Sequence, residues 1–202
     1  MFVQVIQGRT SHPEALVKAI DQWKTDLSPG AGGWLGSTGG ITDDGKFIAV
    51  VRFDSEQSAM ANGARPEQDA WWAETAKLFD GEVSFANSTD VDADARGDLD
   101  QAGFVQIMQG RGRDPERARA LMAQDADKWA EFRPDVLGSL SIMHDQDGYA
   151  MVTYFTSEAE ARQGEGKEPP PELQAQMQEL NKLMIGEPEF FDLKQPILNS
   201  PA

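Results

Sequence analysis

The 202-residue chain carries 34 acidic against 18 basic residues, a formal net charge of −16, and no cysteine. The missing cysteine excludes disulfides, thiolate metal sites and cysteine nucleophiles, and the acid, spread over both halves, argues against nucleic acid, whose phosphates need clustered Lys and Arg. No uncharged stretch is long enough to span a bilayer, and Met1-Phe2-Val3-Gln4 shows no basic segment followed by an apolar run, so a soluble cytoplasmic protein with no membrane partner is expected.

Phe2–Arg9 is a β-rich run in which Phe2 and Ile6 point opposite to Val3 and Val5, so both faces of the strand call for burial. Ser11-His12-Pro13-Glu14 then predicts a capping box with proline at the first helical position. Leu16, Ile20, Trp23 and Leu27 follow at the spacing of a buried helical stripe, which Ser28-Pro29-Gly30 ends. Trp34–Ile41 and Phe47–Phe53 read as strands around the turn Thr42-Asp43-Asp44-Gly45-Lys46. Residues 55–62 and 66–79 read as a helical region that stops at Gly81, and 82–87 as the last strand.

The same order then recurs. Phe2-Val3-Gln4-Val5-Ile6-Gln7-Gly8-Arg9 returns as Phe104-Val105-Gln106-Ile107-Met108-Gln109-Gly110-Arg111, and at this shift of 102 residues 18 of the 58 positions from Phe2 to Ala59 are identical, against about 6% expected of unrelated stretches. After a three-residue insertion, 9 of the 20 positions from Pro66 to Phe85 match at a shift of 105. The predicted elements of the second copy are strand 104–111, a helical stretch 115–132, strands 136–144 and 149–155, helical stretches 157–164 and 171–185, and strand 187–193. Residues 88–100, acidic and rich in small residues, read as a solvated linker; their alternating aspartates lack the glycine and terminal glutamate of a calcium loop. The expected domains are therefore 1–88, a linker over 89–102, 103–194, and a tail over 195–202.

Each βαββαβ copy predicts a four-stranded antiparallel sheet with helices on one face, the ferredoxin-like arrangement, in the α+β class. The bare sheet faces predict two repeats packed sheet to sheet as a fused, pseudo-dimeric barrel in one monomer, with further oligomerisation left open. The opening Phe-Val-Gln strand, Gly33-Trp34-Leu35-Gly36-Ser37 before the second strand, and Phe47-Ile48-Ala49-Val50-Val51-Arg52-Phe53-Asp54-Ser55-Glu56 resemble the dimeric α+β barrel superfamily, most closely its antibiotic-biosynthesis-monooxygenase-like domains, here as a tandem duplication. The resemblance implies a pocket between sheet and helices in each half. It also implies one of three activities: cofactor-free oxygenation of aromatic polyketides, haem degradation, or binding with no assigned chemistry. Haem degraders of the family carry an Asn on the first strand and a Trp and a His on the second helical region. This chain has Gln4 and Gln7 on that strand, Trp71 and Trp72 on the helix, and no histidine over residues 55–87 or 157–193.

Candidate site residues come from comparing the copies. Gln4, Gln7, Gln106 and Gln109 are amides shared by both first strands, and a buried amide must find either a neighbouring helix end or turn, or a ligand. Trp72, opposite Met177, lies on an apolar stripe with Thr75, Ala76 and Phe79; Trp71, opposite Gln176, falls beside it, where a pocket rim or an interface would be. Asp125 takes the place of Trp23 in the ungapped alignment. There it is either a desolvated general base or, if the helix breaks at Gln124, the cap of its continuation. His144 shares a strand face with Leu140 and Ile142, as a structural or inward-facing histidine. Tyr154 replaces Arg52, and either could orient a phenol or carboxylate. Asp125, His144 and Tyr154 are thus the expected catalytic group, and Gln4, Gln7, Arg52, Trp71, Trp72, Gln106 and Gln109 the expected contacts to a small apolar or aromatic molecule.

Ser28-Pro29-Gly30-Ala31-Gly32-Gly33 runs from helix to strand, opposite to a phosphate loop; the two histidines give no metal-ligand spacing; and no Gly-x-Ser-x-Gly occurs. The expected function is small-molecule binding with no metal and no cofactor, extending to cofactor-free oxygenation of a planar aromatic. The alternatives are a non-catalytic ligand-binding or protein-interaction module and, third, a haem-binding protein.

Overall fold

A computed structural model describes residues 1–201. Their backbone contacts divide into two units, the first Met1–Val91 together with residues 195–201, the second Asp92–Lys194.

In the first unit the order is β1 (Phe2–Arg9), α1 (Pro13–Asp26), β2 (Trp34–Ile41), β3 (Lys46–Phe53), α2 (Glu56–Gly63), α3 (Pro66–Thr75) and β4 (Ser84–Ser88). The period of two along β1 sends Phe2, Gln4 and Ile6 to one face and Val3, Val5 and Gln7 to the other, and Val3 and Val5 are fully buried. β1 lies between β3 and β4, pairing Gln4 with Val51 and with Asn87. Gly45 closes the β2–β3 hairpin at φ +81, a conformation open to glycine, with its N–H donating to the Thr42 carbonyl at 2.9 Å. α2 starts on the Ser55 hydroxyl, which accepts from the Ser58 N–H, and α3 starts on Pro66.

The capping box predicted for α1 does not form. The N-cap is His12, without a side-chain cap. Instead the Thr10 hydroxyl accepts the His12 N–H at 2.9 Å and donates to the Leu78 carbonyl at 2.7 Å, while Ser11 donates to Asp80. These long-range partners tie the helix start to the chain after α3 and outcompete the local box.

The second unit contains β5 (Asp90–Ala95), β6 (Phe104–Gly112), α4 (Pro115–Ala123), α5 (Ala126–Phe132), β7 (Val136–His144), β8 (Gly148–Phe155), α6 (Glu158–Glu165), α7 (Pro171–Leu183) and β9 (Met184–Leu193); β10 (Ile197–Asn199) follows. Among the described residues there are two five-stranded sheets, in the orders β10-β2-β3-β1-β4 and β5-β7-β8-β6-β9. Each is the ferredoxin-like order with one strand added at the β2 or β7 edge. Both copies carry a bulge at the start of the second strand, between Trp34 and Gly36 and between Val136 and Gly138.

Three segments differ from the sequence reading. The stretch read as a linker contains β5, whose aspartates alternate with Val91, Ala93 and Ala95, and the tail contains β10, paired with β2. The period-two signal in the linker is real but built from small residues. The helix expected over 115–132 is broken: Gln124 is extended and Asp125 left-handed at φ 57, so α4 and α5 are separate. The carbonyls freed at the break are met by Gln176 of α7, whose amide donates to Leu121 O and, at 2.7 Å, to Gln124 O.

Candidate ligand site

In the first unit, the sheet face turned toward the helices and the helices above it enclose a cavity of about 430 Å³, within the roughly 300–1,000 Å³ usual for small-molecule sites. The strand alternation decides which side chains reach it: Phe2, Gln4 and Ile6 from β1, Ala49, Val51 and Phe53 from β3, and Phe85 and Asn87 from β4. β2 contributes Ser37 and Gly39, where a Cβ would stand 2.8 Å from the Ile48 carbonyl oxygen; the bare glycine keeps this stretch of floor open.

The opposite wall is aromatic. Trp23 of α1 and Trp71 and Trp72 of α3 form a chain with ring centroids 6.4 and 6.1 Å apart, continued by an edge-on contact of Trp72 with Phe85 at 5.4 Å. Their polar edges are partly satisfied within the fold: the Trp23 indole N–H donates to Gln68 at 2.6 Å and that of Trp71 to the Ala19 carbonyl at 3.0 Å. The cavity's sharpest polar feature is on the floor, where Gln4 Nε2 donates to Asn87 Oδ1 at 3.0 Å across paired strands. That bond leaves the Gln4 carbonyl oxygen as an acceptor and the Asn87 amide as a donor. Glu56 and Asp69 are the carboxylates of the lining, Met60 lies on α2 at an exposed edge, and Ile197 of β10 completes the wall.

Of the residues singled out in sequence, Gln4, Trp71 and Trp72 converge on this cavity. Gln7 and Arg52 do not, because they alternate onto the other face of the sheet; the Arg52 Nε there is buried without a partner. In the second unit Gln106 repeats Gln4, donating to Asp192 at 2.9 Å, whereas Gln109 and the buried Tyr154 lie on the face away from the helices.

The three residues expected to form a catalytic group line no part of the cavity. Asp125 sits in the α4–α5 break beside Lys128 at 3.0 Å, the placement of the helix-break alternative, although its carboxylate caps no N–H. The alignment that set it against Trp23 slips there. Trp129 takes Trp23's role, with its indole N–H donating to Gln176 as Trp23's does to Gln68. His144 ends β7, with Nδ1 2.9 Å from Asp145 and Nε2 buried without a partner. Neither histidine lines the cavity, and among the described residues no group of three or more His, Asp or Glu is placed to hold a metal. Among the described residues no helix is long and apolar enough to cross a membrane.

Sequence reasoning missed Asn87, Gln68 and Ile197. A signal existed for the first: two residues past the Phe85/Phe190 match, the same shift of 105 sets Asn87 against Asp192.

No protein-family model and no curated protein matches the chain. Solved structures do. A proposed monooxygenase from Lactobacillus acidophilus NCFM superposes with a TM-score of 0.75 at 10% identity, covering 98% of this chain and 95% of that one. A second, from Fusobacterium nucleatum subsp. nucleatum, gives 0.73 at 9% identity over 98% and 94%. An anthrone oxidase-like protein gives 0.69 at 10% over 100% and 91%. At these identities the likeness is one of fold alone, over the whole length of the chain.

Proposed function

We propose that the first repeat binds a planar, largely apolar aromatic molecule between its sheet and helices, and acts on it as a cofactor-free oxygenase. The observation that carries the binding reading is the aromatic wall of Trp23, Trp71 and Trp72 facing a floor with one paired amide site, Gln4–Asn87. A flat ring system buries both faces in such a slot, while a hydroxyl or carbonyl on its rim meets the acceptor and donor that the Gln4–Asn87 bond leaves. The oxygenase reading rests on the likeness in fold to proteins described as monooxygenases and anthrone oxidase-like, and on a cavity with carboxylates at its edge, Glu56 and Asp69, to accept a substrate proton.

Titration with 1,8-dihydroxyanthraquinone, followed by quenching of tryptophan fluorescence, tests the binding; Gln4→Ala should weaken it about tenfold, the worth of one buried hydrogen bond. Oxygen uptake across a panel of phenols, quinols and anthrones tests the chemistry. Saturable quenching with no uptake on any of them would leave a non-catalytic binding module, and no quenching would sink the reading.

A further inference from the structure

We infer that the second repeat contains the counterpart of this cavity in self-occupied form, plugged by the side chain of Arg162, so that each chain takes one ligand and takes it in the first repeat. The inference rests on the binding reading above for the identity of the ligand, but its geometry stands by itself.

The two repeats can be matched here without ambiguity. α2 and α6 begin on Ser55 and Ser157, each accepting the N–H three residues on, and run the same eight residues. Met60 and Arg162 therefore occupy one position. β1 pairs Gln4 with Asn87 as β6 pairs Gln106 with Asp192, and in each the glutamine amide donates to the partner's Oδ1. Where the first floor has Asn87 the second has Asp192, which introduces a negative charge. Of the six positions at which α2 and α6 differ, Met60 to Arg162 introduces the positive charge that answers it: Arg162 Nη2 donates to the Asp192 Oδ2 that Gln106 leaves free.

The guanidinium lies 5.0 Å from the centroid of the Phe104 ring. Phe104 is the equivalent of Phe2, a lining residue of the first cavity, so a planar cation rests against the ring that a ligand would meet in the first repeat. Glu165 at 3.1 Å and Glu158 at 3.6 Å hold the same guanidinium from α6 itself. The floor is filled further by Met151 where the first repeat has Ala49, and by Ser141 where it has Gly39. The aromatic wall is thinned in step, with Gln176 for Trp71 and Met177 for Trp72. A ligand entering here would have to displace a side chain already in contact with the ring and paired with three carboxylates, whereas the neutral Met60 of the first repeat makes no such pairs.

Calorimetric titration with 1,8-dihydroxyanthraquinone decides the matter by stoichiometry. The wild-type chain should bind one equivalent, and Arg162→Met with Asp192→Asn and Met151→Ala should bind one more. The reciprocal variant, Met60→Arg with Asn87→Asp, should lose the wild-type equivalent while keeping its circular dichroism, and it decides the case if the triple variant does not fold. Two equivalents in the wild type, no gain in a folded triple variant, or retention of binding in the reciprocal one would overturn the inference. A wild type that binds nothing would defeat the binding reading instead, and the inference would then stand or fall on the equivalent gained by the triple variant.

Discussion

Single residues show how each copy satisfies the same need with different chemistry. Trp71 on α3 and Gln176 on α7 occupy one position, and both donate to backbone carbonyls of the facing chain, Ala19 of α1 in one case and Leu121 of α4 with Gln124 of the α4–α5 break in the other. The tryptophan leaves its ring facing the cavity; the glutamine spends both ends of its amide on the broken helix, accepting from Trp129 as it donates. A less settled residue is Tyr149, whose hydroxyl is buried without a partner. Burial pushes its phenol above the ordinary value. The folded state thus holds this proton more tightly than the unfolded chain does. The contribution is fully present below the unfolded value of about 10 and is lost as pH rises through the folded one. Tyr149→Phe should therefore raise stability by about 1 kcal/mol near neutral pH, by removing an unsatisfied hydroxyl. Its advantage should grow above roughly pH 10. Urea unfolding of both proteins at neutral and alkaline pH measures this, and a mutant less stable than wild type at both would contradict it.

At the scale of elements, the strands and the hairpins follow from local pattern, and the misreadings cluster where a distant partner outweighs it. The α1 start is held by Leu78 and Asp80 rather than by its own capping box. The α4–α5 break is tolerated because Gln176 arrives from α7 to take the freed carbonyls. The edge strands are the clearest case, since a short run of Asp, Val and Ala, or Ile197-Leu198-Asn199, has little strand character until a sheet edge is beside it. β10 also brings Ile197 to the lining of the cavity. Deleting residues 195–202 should uncover the β2 edge and weaken aromatic-probe binding about fivefold, the loss of part of one apolar side chain from the wall. Fluorescence titration of the truncated chain, with its melting temperature as a control for folding, provides the check; unchanged affinity would show that β10 is only an edge cover.

Across the whole molecule, duplication supplied two equal scaffolds and divergence made them unequal. The shared positions are those of the fold: the Phe-Val-Gln opening, the bulge glycines Gly36 and Gly138, and the serine caps Ser55 and Ser157. On the helix side of each sheet, neutral Asn87 and Met60 in the first repeat stand against the charged pair Asp192 and Arg162 in the second. The acidic surface acts on the molecule as one body. With a sequence isoelectric point near 4.4, mutual repulsion between chains should vanish around that pH. Light scattering should show self-association peaking there and falling away toward neutrality, and a protein that stays monodisperse throughout would contradict this.

The sequence by itself determined the repeat, the order of elements in each copy and the ferredoxin-like class, because identical spacing and strand or helix periods are local properties that no partner needs to complete. It also marked Gln4, Trp71 and Trp72, since polar and aromatic residues on apolar faces stand out against their neighbours. The tertiary structure alone decided which face of each sheet those residues share. It places Asp125, His144 and Tyr154 away from the cavity, puts Asn87 and Ile197 on its lining, and brings Arg162 onto Asp192 in the second repeat. The physical reason is that a cavity is made by side chains more than eighty residues apart along the chain, as Gln4 and Asn87 are. Which of them meet depends on strand register, and a step of one residue turns every side chain to the other face.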